Sequence, residues 1–475
     1  MAATPDPLAT WLLEQEARAL LRRLDRVKPF VLQETMVPAA NLMPTAQIAI
    51  ERYLMAGRGK LRRDVRAFIR WIRGPGRGAV PQEQQRRFTT LRLRFNTALT
   101  QFDLFAEALT QRSEQEIGVW LSGLDVAAQD ALELRGGFIE PPPAVCYLHR
   151  GLGGAIRRAR TRLPGGGEAP VAVVRIPRER MIGFGVASSL CHECGHQAAA
   201  LLNLVESLRP ALQEQRRVRP PAEARAWGMW ERTISEIVAD TWALGKVGIS
   251  STLGLIGIVS LPRAFVFRVN VDDPHPFPWI RVLLSCALGN ALYPQGPHGQ
   301  WAELAATWRR FYPTAGLDEK RQQVVTELQA TMGAFVSFLL GHRPASLRGM
   351  ALGDAIRMPD RTPERLIEAY DRWTVQPELM RAAPPTLVFA VLGRARAKGR
   401  LSPEREDRLL GDLITHWALK STLDIAEICA RAPRRTRSGP TRVPIATATP
   451  TARPPGVPGR PVHRRRELQP SMAST

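Results

Sequence analysis

Residues 192–196 read His-Glu-Cys-Gly-His, and that spacing constrains the chain more than any other feature it has. On an α-helix, side chains four residues apart share one face, with Cβ atoms about 5–6 Å apart. His192 and His196 can then grip one zinc ion while Glu193 reaches a water on the metal. Zinc polarises such a water toward hydroxide near neutral pH, and a carboxylate is suited to take its proton. The flanking sequence is compatible with the helix this needs. The residues leading to Leu190 are apolar or small and contain no proline, and Gln197–Val205 continues the pattern, with Pro210 beyond it.

A catalytic zinc usually has three protein ligands and one open position, so a third ligand must come from elsewhere. The stretch from Trp230 to Asp240 follows Pro220-Pro221 and has helical apolar spacing at Ile234, Ile237, Val238 and Trp242. Glu236 and Asp240 share a face of that helix. Both lie among apolar neighbours, where an unpaired carboxylate is unfavourable. A metal on Glu236 and a ligating imidazole N–H on Asp240 would satisfy both. Glu231 is the alternative third ligand; it has no carboxylate partner four residues on.

An HExxH helix followed by a second helix carrying Glu-x-x-x-Asp resembles the gluzincin zinc metallopeptidases. Glu236-Ile-Val-Ala-Asp240 also has the alanine typical of the branch that includes the prenyl-protein-processing endopeptidases and their bacterial heat-shock protease relatives. That branch carries a later histidine-proline element and an arginine; Asp273-Pro-His275-Pro-Phe-Pro-Trp-Ile-Arg281 follows in the matching order. The resemblance covers roughly residues 170–290. It implies zinc on His192, His196 and Glu236, Glu193 as general base, and Asp240 orienting His192. It further implies His275 near the scissile carbonyl and Arg281 ordering the site. Those relatives are commonly membrane-embedded, whereas no integral span is expected here.

His275 also has a case from its own surroundings. Prolines at 274, 276 and 278 stiffen the backbone and remove donors, predicting an extended loop from which an imidazole could donate to an oxyanion. Tyr293 and His298 are alternative donors, and Arg281 could equally be an ion-pair partner for an acid. Upstream, Val171–Pro177 is a β-branched run between Gly165-Gly-Gly167 and a proline and reads as a strand. It is either a sheet edge on which an extended substrate pairs, or a buried strand with no such role.

The longest apolar run, Val247–Leu261, is short for the roughly 20 residues of a membrane span, which favours a buried helix or hairpin. The N-terminus has no basic region leading into an apolar stretch, so no signal peptide is expected. Five cysteines are too few and scattered for a disulfide framework. Cys191 and Cys194 interleave with the metal motif and read as packing thiols, and cysteine usage fits a reducing, cytoplasmic location.

The net charge is +22, and residues 431–475 supply +9 of it through ten arginines and one acid. Nine prolines and no aromatic residue argue against a core there. This tail is expected to be disordered and to offer Arg434-Arg435 and Arg464–Arg466 to an anionic partner.

Helical stripes fill the N-terminal region. Leu13, Ala17, Leu20, Leu21, Leu24 and Val27 make one, stopped by Pro29. A second helix is expected over Thr45–Ala56 with Gly57 at its end, and a third over Leu61–Ile72 before Gly74. Phe88, Phe95, Phe102 and Leu109 recur every seven residues, interleaved with Leu91, Ala98 and Phe105, which predicts a long helix packed on partner helices in this chain or another. Ser113–Glu116 reads as a capping box. Further helices are expected over Leu317–Leu340 and after Thr362-Pro363 and Ser402-Pro403.

Together these features predict a mainly α (α+β) protein. A helical region (1–140) precedes a zincin-like metallopeptidase core with a small β-sheet (141–345), a second helical region (346–430) and the disordered tail (431–475). The expected activity is Zn2+-dependent hydrolysis of peptide bonds in a protein or peptide substrate, with a partner protein on the N-terminal helices. The alternative is an arginine-rich nucleic-acid-associated or adaptor protein in which the zinc site is structural or secondary.

Overall fold

The structure is a computed structural model that describes residues 5–27, 31, 36–151, 153–161, 168–181 and 183–431. The expectations placed on Pro29, on Gly165–Gly167 and on the arginine-rich tail from residue 432 on lie outside the described residues. The described residues up to Glu427 group into one compact unit. The described chain is mostly helical, with one small sheet.

Three helices open the chain: α1 (Pro7–Arg26), α2 (Pro44–Arg73) and α3 (Pro81–Thr110). The α1 stripe buries Leu13, Ala17, Leu20 and Leu24 against Leu61, Val65 and Ile72 of α2 and Phe88, Leu91 and Phe95 of α3. The heptad stripe of α3 thus finds its partner helices within the same chain. Its second half, from Phe102 to Leu109, packs with Ile50 and Leu54 of α2 and with residues of the sheet. The break expected at Gly57 does not occur. Gly57 and Gly59 lie inside one thirty-residue helix. Each glycine costs about 0.5–1 kcal/mol relative to alanine, which the buried Leu54, Leu61 and Val65 on either side outweigh.

The next helix, α4 (Gln115–Leu132), starts without a capping box. Its N-cap is Glu114 with no side-chain bond, and the Ser113 hydroxyl donates instead to the Thr110 carbonyl. After Pro141–Pro143 the chain forms β1 (Ala144–His149), then β2 (Ala155–Arg157) and β3 (Ala172–Pro177). Their order is β1-β3-β2, with β3 parallel to β1 and antiparallel to β2. The strand expected before the metal helix is present as β3, but it is the central strand, hydrogen-bonded on both sides. It offers no free edge; the edge near the site is β2.

The HExxH helix, α5 (Gly183–Leu201), stops four residues earlier than its apolar pattern. Asn203 adopts a left-handed conformation (φ 48°) and starts α6 (Leu204–Arg217), which contains Pro210. The acidic segment likewise divides at Thr233 into α7 (Pro221–Arg232) and α8 (Ile234–Val247). Gly248 (φ 55°) then turns the apolar run into α9 (Ile249–Val259), a helix packed into the core. The short α10 (Arg263–Val266) leads to the proline-rich loop and α11 (Pro278–Leu292).

The remaining helices are α12 (Gln300–Phe311), α13 (Glu319–Gly341), α14 (Leu352–Ile356), α15 (Pro363–Val375), α16 (Pro377–Ala382), α17 (Pro385–Ala397) and α18 (Pro403–Arg431). Among the described residues, α13 is long and apolar enough to cross a membrane; its Val325, Leu328, Phe335 and Leu339 are buried in the same cluster as Trp227 and Trp230 of α7 and Leu283 of α11. A second cluster joins Leu190, Cys191 and Cys194 of α5 to Leu124 and Ala128 of α4, Val174 of β3 and Val391 and Leu392 of α17. Core packing therefore runs from the N-terminal helices through the sheet to α17, holding α5 from several sides.

Candidate metal centre

Helix α5 is buried over most of its surface and leaves only a narrow side for His192 and His196. That side faces α8. The approach is close because position 195 is glycine: a Cβ there would sit 2.9 Å from both Cα and the carbonyl oxygen of Ala239. The two helices thereby bring Glu236 and Asp240 under the imidazoles. Trp242 Nε1 donating to the Ala131 carbonyl at 2.9 Å fixes α8 against α4.

Glu236 Oε2 lies 3.2 Å from His192 Nε2, 3.4 Å from His196 Nε2 and 3.0 Å from His275 Nε2. His192, Glu236 and His275 each bring one ligand atom within 4.8 Å of the others. Glu236 meets both His192 and His196, but the mutually close trio is His192, Glu236 and His275, and His196 is not part of it. Glu236 Oε2 is buried and, despite these neighbours, accepts no properly directed hydrogen bond. A buried polar atom without one needs another partner. Zinc–nitrogen and zinc–oxygen distances of about 2.0–2.2 Å give a tetrahedron with edges of about 3.3–3.5 Å. The separations from Glu236 to His192 and His196 are close to that size, and the His192–Glu236–His275 group could hold a metal ion.

Asp240 stands behind His192. It accepts from His192 Nδ1 at 2.8 Å, and Arg281 on α11 grips it twice, from Nε at 2.7 Å and from Nη2 at 2.9 Å. With Nδ1–H committed to Asp240, Nε2 is the His192 nitrogen that faces Glu236, and it becomes a ligand atom when a metal displaces its proton. Burial alone would depress the His192 pKa, but its hydrogen bond to Asp240 and the adjacent Glu236 carboxylate outweigh it and raise it to about 9. Burial likewise opposes ionisation of Glu236 and Asp240. Imidazoles around Glu236, and Arg281 with His192 beside Asp240, nonetheless hold both carboxyls well below the usual range.

Glu193 lies on the same helix but binds none of this group. It is buried, and burial pushes its pKa up against the opposing pull of His192 and His196. Gly154, just before β2, presses over its carboxylate; a Cβ at 154 would lie 2.5 Å from Glu193 Oε1. Just beyond β2 the chain is tied to α5, where the Ala159 N–H donates to Gln197 Oε1 at 2.6 Å. Neither Gly154 nor the edge strand was found in the sequence, because Gly153-Gly154 resembles any loop and β2 is only three residues long.

His275 sits at the rim, 40 % exposed, with Nδ1 2.7 Å from Asp273 Oδ1. This repeats the pairing of His192 with Asp240. The proline-flanked segment is a loop, as its sequence implies, and Phe277 caps α11, which carries Arg281. The other candidates lie elsewhere. Glu231 accepts from Gln213 on α6 at 2.8 Å. Tyr293 is buried and donates to the Gly245 carbonyl at 2.9 Å, a structural bond between α11 and α8. His298 is exposed on a loop. Cys191 and Cys194 are buried packing groups; burial pushes the Cys191 thiol up to about 12.

Beside the cluster opens a cavity of about 290 Å³. Leu255, Ile258 and Val259 of α9 line one wall, Ser188, Ser189 and Arg180 another, with Gly154, Glu193 and His275 at its mouth. Gly254 lets α9 cross α5 closely enough to build that wall, since a Cβ there would overlap Ser188. Compared with protein-family models, curated proteins and solved structures, the chain matches none.

Proposed function

We propose that this protein is a zinc-dependent metallopeptidase of the gluzincin type, hydrolysing peptide bonds of a protein or peptide substrate. The observation that carries the reading is the meeting of His192, His196 and His275 around one buried, unsatisfied oxygen of Glu236. His192, His196 and Glu236 would hold the ion. Bound there, zinc would supply a Lewis acid that polarises a carbonyl and makes water a better nucleophile.

Each neighbouring group has a definable task. Asp240 fixes the tautomer of His192, and Arg281 fixes Asp240. Glu193 takes a proton from the attacking water as its oxygen adds to the peptide carbonyl carbon. Collapse breaks the C–N bond, and Glu193 returns that proton to the departing nitrogen. His275, on the open side, donates to the carbonyl oxygen as negative charge grows there. The cavity walled by Leu255, Ile258 and Val259 receives an apolar portion of the substrate and keeps bulk water from it.

The test is a peptide-hydrolysis assay with zinc quantified in parallel. Glu193→Gln is expected to retain zinc and lose hydrolysis by at least about 10²-fold, whereas His196→Ala loses both. A Glu193→Gln protein that hydrolyses a verified substrate as fast as the native chain would overturn the mechanism.

A further inference from the structure

Helix α1 has a second face that the bundle does not use. Leu13, Ala17, Leu20 and Leu24 take up the core side. On the outward side, Leu8, Trp11 and Leu12 are 69 %, 57 % and 53 % exposed. Spaced i, i+3 and i+4, they form one apolar cap on the first turns. Farther along, the same outward side carries the exposed Arg18, Arg22 and Arg26.

The surroundings of the cap are basic. Arg73 reaches Glu14 at 2.7 Å, and Gln84 bridges the Thr10 hydroxyl and the Gly76 carbonyl. These bonds seat the end of α2 and the start of α3 beside the first turns of α1. They bring the exposed Arg70, Arg73 and Arg77 to that end of the bundle. Among the described residues, no ion pair engages Arg70 or Arg77. Of the nearby acids, Glu14 pairs with Arg18 and Arg73 and Asp6 caps the helix through the Leu8 N–H, while Glu16, exposed one turn beyond Leu12, is outnumbered by the arginines around it. Over residues 1–110 the chain has 18 basic and 10 acidic side chains.

We propose that this end of the N-terminal bundle docks peripherally on an anionic lipid surface, with Leu8, Trp11 and Leu12 entering the headgroup boundary and the surrounding arginines meeting lipid phosphates and carboxylates. A tryptophan with two leucines on a helix face suits the boundary between headgroups and acyl chains. Arginines around such a cap are drawn to anionic lipid. A phosphodiester strand would engage the arginines but leave the cap in water, which is why lipid is the better occupant. This inference is independent of the proposed peptidase activity.

Co-sedimentation of the full-length protein with vesicles tests it, using phosphatidylcholine alone and a roughly 3:1 mixture with phosphatidylserine. The native chain is expected to bind the anionic vesicles at least about tenfold more tightly than the neutral ones, and binding should weaken with salt. Leu8→Ala/Trp11→Ala/Leu12→Ala should lower anionic binding by about tenfold or more while the protein still unfolds cooperatively with only a small drop in midpoint, since all three side chains are more than half exposed. The triple variant keeps every charge. If the arginine-rich tail alone drives binding, it will sediment like the native chain, and that result overturns the inference. Failure of the native chain to bind anionic vesicles does so as well. So does self-association abolished by the triple variant without vesicle binding, which would make the occupant a second copy.

Discussion

Replacing Asp240 by asparagine probes the support of the site without touching a ligand. The side chain keeps its size and loses one negative charge. Three contacts depend on that charge: His192 Nδ1 at 2.8 Å, and Arg281 Nε and Nη2 at 2.7 and 2.9 Å. The side chains of Asp240 and Arg281 are each 12 % exposed, so the guanidinium cannot turn into water for compensation. Breaking one side of a buried ion pair costs about 3–5 kcal/mol, much of it from the charge left behind. Asparagine can still accept one hydrogen bond, but its amide then faces a guanidinium that offers only donors. The residual acceptor places the expected loss near the lower end, about 3 kcal/mol. Zinc affinity should fall separately by about 10–100-fold, because His192 loses the partner that keeps its Nε2 facing Glu236. Urea unfolding in the presence of a chelator measures the first effect free of metal linkage. Competition against a chromogenic chelator measures the second. Adding Arg281→Met to Asp240→Asn should recover part of the lost stability, since the stranded cation is then gone. An Asp240→Asn protein within about 0.5 kcal/mol of native stability and with unchanged zinc affinity would refute the reasoning.

Other perturbations separate the remaining roles. Gly154→Ala should keep zinc and the fold while cutting hydrolysis by about tenfold or more, because its Cβ displaces the Glu193 carboxylate; kinetics with metal analysis checks this. Gly195→Ala gains up to about 1 kcal/mol of helix propensity but forces α5 from Ala239, and overpacking at about 1–3 kcal/mol should win. Its unfolding midpoint in urea should therefore drop. His275→Ala should retain zinc and lower kcat if His275 acts on substrate; loss of zinc from that variant would make His275 a ligand.

Much of the site was legible because its parts recur at helical spacing. His192 and His196, and Glu236 and Asp240, each lie four apart, and a buried acid among Ile234, Ile237 and Val238 demands a partner. The chain order of His275 and Arg281 completed the set. Other features depended on contacts distant in sequence. Nothing local says that His275, paired with its near neighbour Asp273, would also reach Glu236 on another helix. The breaks at Asn203 and Thr233 were missed because the apolar pattern continues across both, and tertiary packing decides where one helix hands over to the next. Gly57 misled in the opposite direction, since flanking leucines and Val65 carry the helix through it. Strand β1 was overlooked because Ala144–His149 lies directly after three prolines and has no alternation; both its faces are covered, by α4 on one side and by residues of α2 and α3 on the other.

Anomalous diffraction at the zinc absorption edge from crystals of the full chain tests the metal centre most directly. One strong peak about 2.0–2.2 Å from His192 Nε2, His196 Nε2 and Glu236 Oε2 is expected, absent from Glu236→Ala crystals grown in the same zinc concentration. A zinc-loaded crystal with no peak between α5 and α8, or with its peak away from Glu236, would contradict it.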